Sequence, residues 1–142
     1  MIDTIQKTNR DFYDQTALEY AAQKMHSFYS EKEFRVFVKH FKKGDAVIDL
    51  GCGHGRDVPL FLGIGHGLKY EGLDISRGLV TIARSRYPNL KFYTGNIVDV
   101  KTLPKKRYAG FWAAAVFQHI PEEQWPHLLE NLEKMVKKGG MG

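Results

Sequence analysis

The sequence predicts an α/β fold, a Rossmann-like doubly wound parallel sheet, on three observations. From residue 46 onward, short apolar runs of strand length alternate with amphipathic segments of helix length. That alternation implies parallel strands joined by right-handed crossovers, with helices on both faces. The first run, VIDL at 47–50, passes straight into GCGHG, three glycines at alternate positions. With 142 residues, 43% of them hydrophobic, the chain is sized for one domain with a real core.

Before the alternation begins, two helices are expected. Residues 8–24 place Tyr13, Ala17 and Tyr20 on one face by i, i+4, i+7 spacing, with Thr8 and Asp11 available as a cap. In the second helix, Ser30 and Glu33 form a capping box, and Phe34, Phe37, Val38 and Phe41 give the stripe of a buried face, ending at Lys42-Lys43-Gly44.

The alternating part follows in order. Ala46 to Leu50 reads as a strand, and Gly55 to Leu62 as a short helix in which Pro59 is tolerable near the first turn. Lys69 to Leu73 is a second strand, and Ser76 caps a helix that runs to Arg86 and stops at Tyr87-Pro88. Leu90 to Thr94 is a third strand, and 96–108 is a loop or one short helix. Gly110 to Phe117 is an apolar strand expected to be buried on both faces. A last helix, starting near Pro121 or Pro126, carries Leu128, Leu129, Leu132, Met135 and Val136 on one side and ends at Gly139-Gly140.

Composition narrows the function. No apolar run reaches the ~18 residues of a membrane span, and MIDTIQKTNRD lacks the apolar core of a signal peptide, so a cytoplasmic protein is expected. The single cysteine, Cys52, suits a reducing compartment. Neither it nor the histidines show metal-ligand spacing, so no metal is expected. The net charge of +5 invites a polyanion, but Lys42-Lys43 and Lys137-Lys138 close predicted helices and Lys105-Lys106-Arg107 lies in a predicted loop. Taken one by one, these read as solvated charge.

The glycine loop carries the chemistry. It stands at the carboxyl end of a strand, where open parallel sheets bind ligands. Glycine there permits positive φ and a close approach of ligand to backbone. A dinucleotide fingerprint would need G-x-G-x-x-G, but here the third glycine comes one place early and Arg56 takes the sixth position, which weakens a pyrophosphate reading.

VIDLGCGHGRD, YEGLDIS at 70–76, FYTGNIVDV at 92–100, GFWAAAVFQHIP at 110–121 and LEKMVKKGG at 132–140 together resemble the successive motifs of class I S-adenosylmethionine-dependent methyltransferases. FYDQTALEYAAQ resembles the leading helix of the small-molecule branch of that superfamily. The resemblance implies one methyltransferase domain over 1–142, with a helical cap at 1–44 and a Rossmann-like core at 45–142. It implies S-adenosylmethionine as methyl donor and S-adenosylhomocysteine as product.

The resemblance also assigns residues. Asp74 would accept bonds from the ribose hydroxyls, or else cap the helix at 76. Gly51, Cys52 and Gly53 would pass beside the methionine portion, with Asp49 bracing the loop or touching the amino-acid end. Asn96 stands where the family commonly has Asp, and its amide oxygen can still accept from the adenine amino group. Ile75 and Ile97 would sandwich the adenine or serve as plain core, and Tyr13 and Tyr20 would roof the pocket or serve as a buried face. His119 would take a proton from the acceptor, or bond backbone at its turn.

VFQHIP is not the Asn/Asp-Pro-Pro-aromatic motif of base-modifying enzymes, so a small-molecule acceptor is expected rather than nucleic acid. The family sheet has seven strands, whereas this chain reads as four, leaving the fourth as an open edge. Either the chain is part of a longer protein, or another copy covers that edge.

Overall fold

The fold is seen in a computed structural model that describes residues 31–113 and 120–141. The expected helix at 8–24, with Tyr13 and Tyr20, and the turn carrying Gln118 and His119 lie outside the described residues.

The described chain runs α1 (Glu31–Val38), β1 (Ala46–Leu50), α2 (Val58–Leu62), β2 (Lys69–Asp74), α3 (Arg77–Arg86), β3 (Lys91–Thr94), a 3-10 turn (Val100–Thr102), β4 (Tyr108–Trp112), a 3-10 turn (Glu122–Gln124), α4 (Trp125–Met135) and β5 (Val136–Met141). The strands form one sheet in the order β3-β2-β1-β4-β5, and every pair is parallel. The order reverses between β1 and β4, which marks the crevice beyond their carboxyl ends as the ligand position of such a sheet.

Period-2 alternation sends successive residues to opposite faces. Val47 and Tyr70, paired in register, enter a core with Phe34, Phe61, Phe92 and Trp112. Ile48 and Leu50 enter the other, with Leu73, Leu128, Leu132 and Met135. Phe34 and Phe37 both pack on Trp112, with ring centroids 5.1 Å apart in each case, so the phenylalanine stripe of α1 is the face predicted for it. The Ser76 hydroxyl accepts the Leu79 N–H at 3.2 Å, as expected of a cap.

Four expectations are corrected. The fourth strand is not an edge, because β5 pairs beside it, and no second copy is needed to cover it. The last helix ends at Met135, so Val136 and Lys137 open a strand rather than close a helix. Leu129 is 62% exposed and faces away from Leu128 and Leu132, while Asn131 is buried in its stead and donates from Nδ2 to the Ile97 carbonyl at 2.7 Å. Residues 55–57 belong to the loop rather than to a helix, while β4 sends Trp112 into one core and Phe111 against the other, so both of its faces are covered as expected. No helix among the described residues is long and apolar enough to cross a membrane.

Candidate functional site

The loop from Gly51 to Asp57 is held by bonds that reach across the sheet. Gly51 and Cys52 both donate their N–H to the Leu73 carbonyl, at 2.8 and 3.0 Å. Gly53 donates to Asp74 Oδ2 at 2.9 Å, and the other oxygen of Asp74 accepts the Ser76 N–H at 2.8 Å. One carboxylate thus joins the loop after β1, the end of β2 and the start of α3.

The three glycines have φ of +72, +56 and +92°, all in the left-handed region that disfavours side chains. At Gly55 a Cβ would come within 2.9 Å of Tyr87 Cε2, so the group crowding that position is the chain's own ring. Backbone conformation alone therefore demands glycine here.

Beneath the loop lie buried polar pairs. Asp49 is 1% exposed and accepts the Tyr70 hydroxyl at 2.7 Å. Burial, followed by the nearby Asp57 carboxylate, pushes the Asp49 carboxyl well above its ordinary range, against the Tyr70 bond and the Arg56 charge. Asp57 accepts Trp112 Nε1–H at 2.9 Å and pairs with Arg56 at 3.2 Å, which links the loop to the end of β4. His54, also 1% exposed, lies with Nδ1 2.8 Å from Arg86 Nη1. Its pKa is lowered to about 4 by burial and then by the Arg86 and Arg56 charges, so Nδ1 is the neutral-ring acceptor of the Arg86 bond. Burial and the Asp74 and Asp49 charges push the Cys52 thiol well above its usual value, so it stays protonated.

At the end of β3, Asn96 is buried, its N–H donating to Thr102 Oγ1 at 2.8 Å and its Oδ1 accepting the Val98 N–H at 3.1 Å. Ile75 is half-buried, whereas Ile97 is buried in the core with Leu73 and Leu103.

Asp49, Gly51, Cys52, Gly53, Asp74, Ile75, Asn96 and Ile97 are thus gathered at or beyond the carboxyl ends of β1, β2 and β3. The sequence reading missed Tyr70, Arg56, Asp57, Arg86 and Trp112, which hold the loop. Most of these contacts join residues 21 to 55 positions apart, and no local spacing marks them. No group of three potential metal ligands occurs among the described residues.

The arrangement favours some ligands over others. The N–H groups of Gly51, Cys52, Gly53 and Gly55 all donate within the protein, Gly55 to the Cys52 carbonyl at 3.0 Å. A pyrophosphate cradle needs such amides turned toward the ligand. With its amides engaged in this way, the loop does not present such a cradle.

Comparison with known proteins agrees. The methyltransferase-domain family matches residues 47–140. The trans-aconitate 2-methyltransferase of Rhizobium meliloti (strain 1021) is 36% identical over 92 residues, covering 65% of this chain and 34% of that protein, so the chain spans about a third of that relative's length. Among solved structures, a TehB-like S-adenosylmethionine-dependent methyltransferase from Corynebacterium glutamicum superposes with a TM-score of 0.69 at 21% identity, covering 94% of this chain and 70% of that one. DhpI bound to S-adenosylhomocysteine superposes with a TM-score of 0.75 at 17% identity, over 99% and 68% of the two chains. Sheet, loop and family match converge on one statement: the chain belongs to the methyltransferase-domain family.

Proposed function

We propose that this chain transfers a methyl group from S-adenosylmethionine to a small-molecule acceptor by in-line displacement, leaving S-adenosylhomocysteine. The observation that carries the reading is the Asp74 carboxylate, tied to the Gly53 N–H at the carboxyl end of β2 beside a loop whose amides are already committed. Asp74 would receive the ribose hydroxyls. Carbonyls of the Gly51–Gly53 turn would receive the ammonium group, with Asp49 bracing the turn from below through Tyr70. Asn96 Oδ1 would take the adenine amino group, with Ile75 and Ile97 against the ring. Tyr13 and Tyr20 would close the pocket, and His119 would accept a proton from an oxygen or nitrogen acceptor.

The bound donor supplies a methyl group already activated on a sulfonium. The protein's task is then alignment and exclusion of water rather than proton chemistry on the donor. That division suits a site whose described part has acceptors and apolar walls but no activated nucleophile.

The relative named for trans-aconitate supports a small acceptor. Supplying S-adenosylmethionine with mixtures of small organic acids, phenols and amines, and following S-adenosylhomocysteine, tests the proposal. Acceptor-dependent product is expected. Donor binding without turnover in any mixture would favour the alternative, a module that binds the donor without catalysis.

A further inference from the structure

The parallel sheet gathers charge that looks scattered along the chain. In such a sheet all strands begin at one edge, opposite the glycine loop. Lys42 and Lys43 precede β1, Lys69 opens β2, Lys91 opens β3, Lys105, Lys106 and Arg107 precede β4, and Lys137 is the second residue of β5. Every strand contributes, so the cations spread across the whole width of the sheet, about 19 Å at the ~4.8 Å spacing of neighbouring strands, with a stagger along it, since Lys91 is level with Glu71, two residues beyond Lys69.

The same strand-opening segments hold two carboxylates, Asp45 and Glu71, and both are engaged. Asp45 accepts the Lys42 N–H at 2.9 Å. Glu71 is buried, bonded by Lys106 and by the Tyr108 hydroxyl. Eight cations against two carboxylates is a larger excess than the +5 of the entire chain, so the chain's positive charge resides on this rim. Lys42, Lys43, Lys69, Lys91, Lys105 and Lys137 are exposed, and among the described residues none pairs with a carboxylate. Arg107, just before β4, donates to the Val136 carbonyl at 3.3 Å and so reaches toward β5.

Helix dipoles do not account for the row. Cations gain from a helix carboxyl end only within its last turn. Lys69, Lys91, Lys105 and Lys137 fall outside every described helix.

We propose that this rim is a docking surface for a nucleic-acid backbone, distinct from the donor site at the opposite end of the strands. An array of unpaired lysines across the sheet matches a line of phosphates, and phosphate contacts position a strand without reading its sequence, so the contact is sequence-tolerant. A membrane surface fits less well, because peripheral binding also uses exposed apolar side chains. The large exposed ones among the described residues, Val36, Leu62, Val100, Trp125 and Leu129, all sit on helical elements rather than among the strand-opening lysines.

The test is binding of a fluorescent oligoribonucleotide to the 142-residue chain across a salt series, beside phosphatidylserine vesicles. If six phosphates are neutralised, log Kd should rise with log salt with a slope of about 4, at ~0.7 per phosphate of a single strand. The triple variant Lys69→Gln, Lys91→Gln, Lys105→Gln should lose about 2 of that slope and about tenfold or more in affinity at low salt, with an unchanged thermal melt. The proposal is overturned by no binding at low salt, by a well-folded triple variant that binds with unchanged slope, or by capture on vesicles without capture on RNA.

Discussion

The Gly53 N–H donates to Asp74 Oδ2 across 2.9 Å, and that bond makes the turn after β1 and the end of β2 one unit. The carboxylate proposed above to receive the donor's ribose hydroxyls therefore also sets the shape of the loop beside it.

Two effects are expected from Asp74→Ala. Loss of the acceptor for Gly53 and Ser76 should lower stability by about 1–3 kcal/mol in denaturant titration. Donor affinity should fall roughly 10- to 150-fold in calorimetry, the worth of a charged hydrogen bond. Unchanged affinity in a folded variant would mean that the ribose lies elsewhere.

The glycines of the loop should differ in tolerance. Gly53 has φ of +56°, and its Cβ would meet only Leu79 Cδ1 at 3.9 Å, so Gly53→Ala should cost about 1–2 kcal/mol. Gly55→Ala should cost more, since φ is +92° and the Tyr87 ring lies 2.9 Å away. Adding Tyr87→Leu to Gly55→Ala should recover part of that loss; a double mutant no better than the single would place the whole cost in the backbone.

Acid should weaken the fold through His54. Its pKa in the fold is about 4 against an ordinary 6.5, so between those values the unfolded chain binds a proton that the folded chain refuses. Stability therefore rises with pH across the window from about 4 to 6.5, and the difference is on the order of 3 kcal/mol. Asp49, shifted upward by burial, acts with the opposite sign, so the comparison must be with a variant. His54→Asn keeps an acceptor for Arg86, and its stability should vary less with pH over this window; an equal slope would show that His54 is not the titrating group.

Trp112→Phe keeps a ring for Phe34 and Phe37 but removes the Nε1–H that reaches Asp57. A bond to a charged group is worth about 1.5–3 kcal/mol, and a loss of that order is expected in the unfolding free energy. A change below about 0.5 kcal/mol, within the range of ordinary surface substitutions, would show that Arg56 suffices to hold Asp57.

Local chemistry made much of this molecule legible. The Ser76 cap, the phenylalanine stripe of α1 and the strand-to-glycine junction at 50–51 depend on neighbours in sequence, and each was readable there. What escaped depends on distant partners. In sequence β5 reads as a helix end, because Lys-Lys-Gly-Gly has the composition of a helix carboxyl terminus; pairing with β4, not propensity, makes it a strand. Leu129 fits the stripe of α4 in sequence, yet Asn131 takes the inward position because the Ile97 carbonyl is there to receive it. Around the candidate site, the positions of Asp74 and the glycines after strands are legible in sequence, while the approach of Tyr70, Asp57, Trp112 and Arg86 is not, since only the folded sheet brings them to the loop.

The central claim is that the Gly51–Asp57 loop and Asp74 form a site for a methyl donor rather than for a dinucleotide. Calorimetric titration of the chain with S-adenosylmethionine, S-adenosylhomocysteine and NADH tests it most directly. Saturable binding of the first two at micromolar concentration, with none of the third, is the expected result. Binding of NADH in preference to both, or heat from none of the three, would contradict the account.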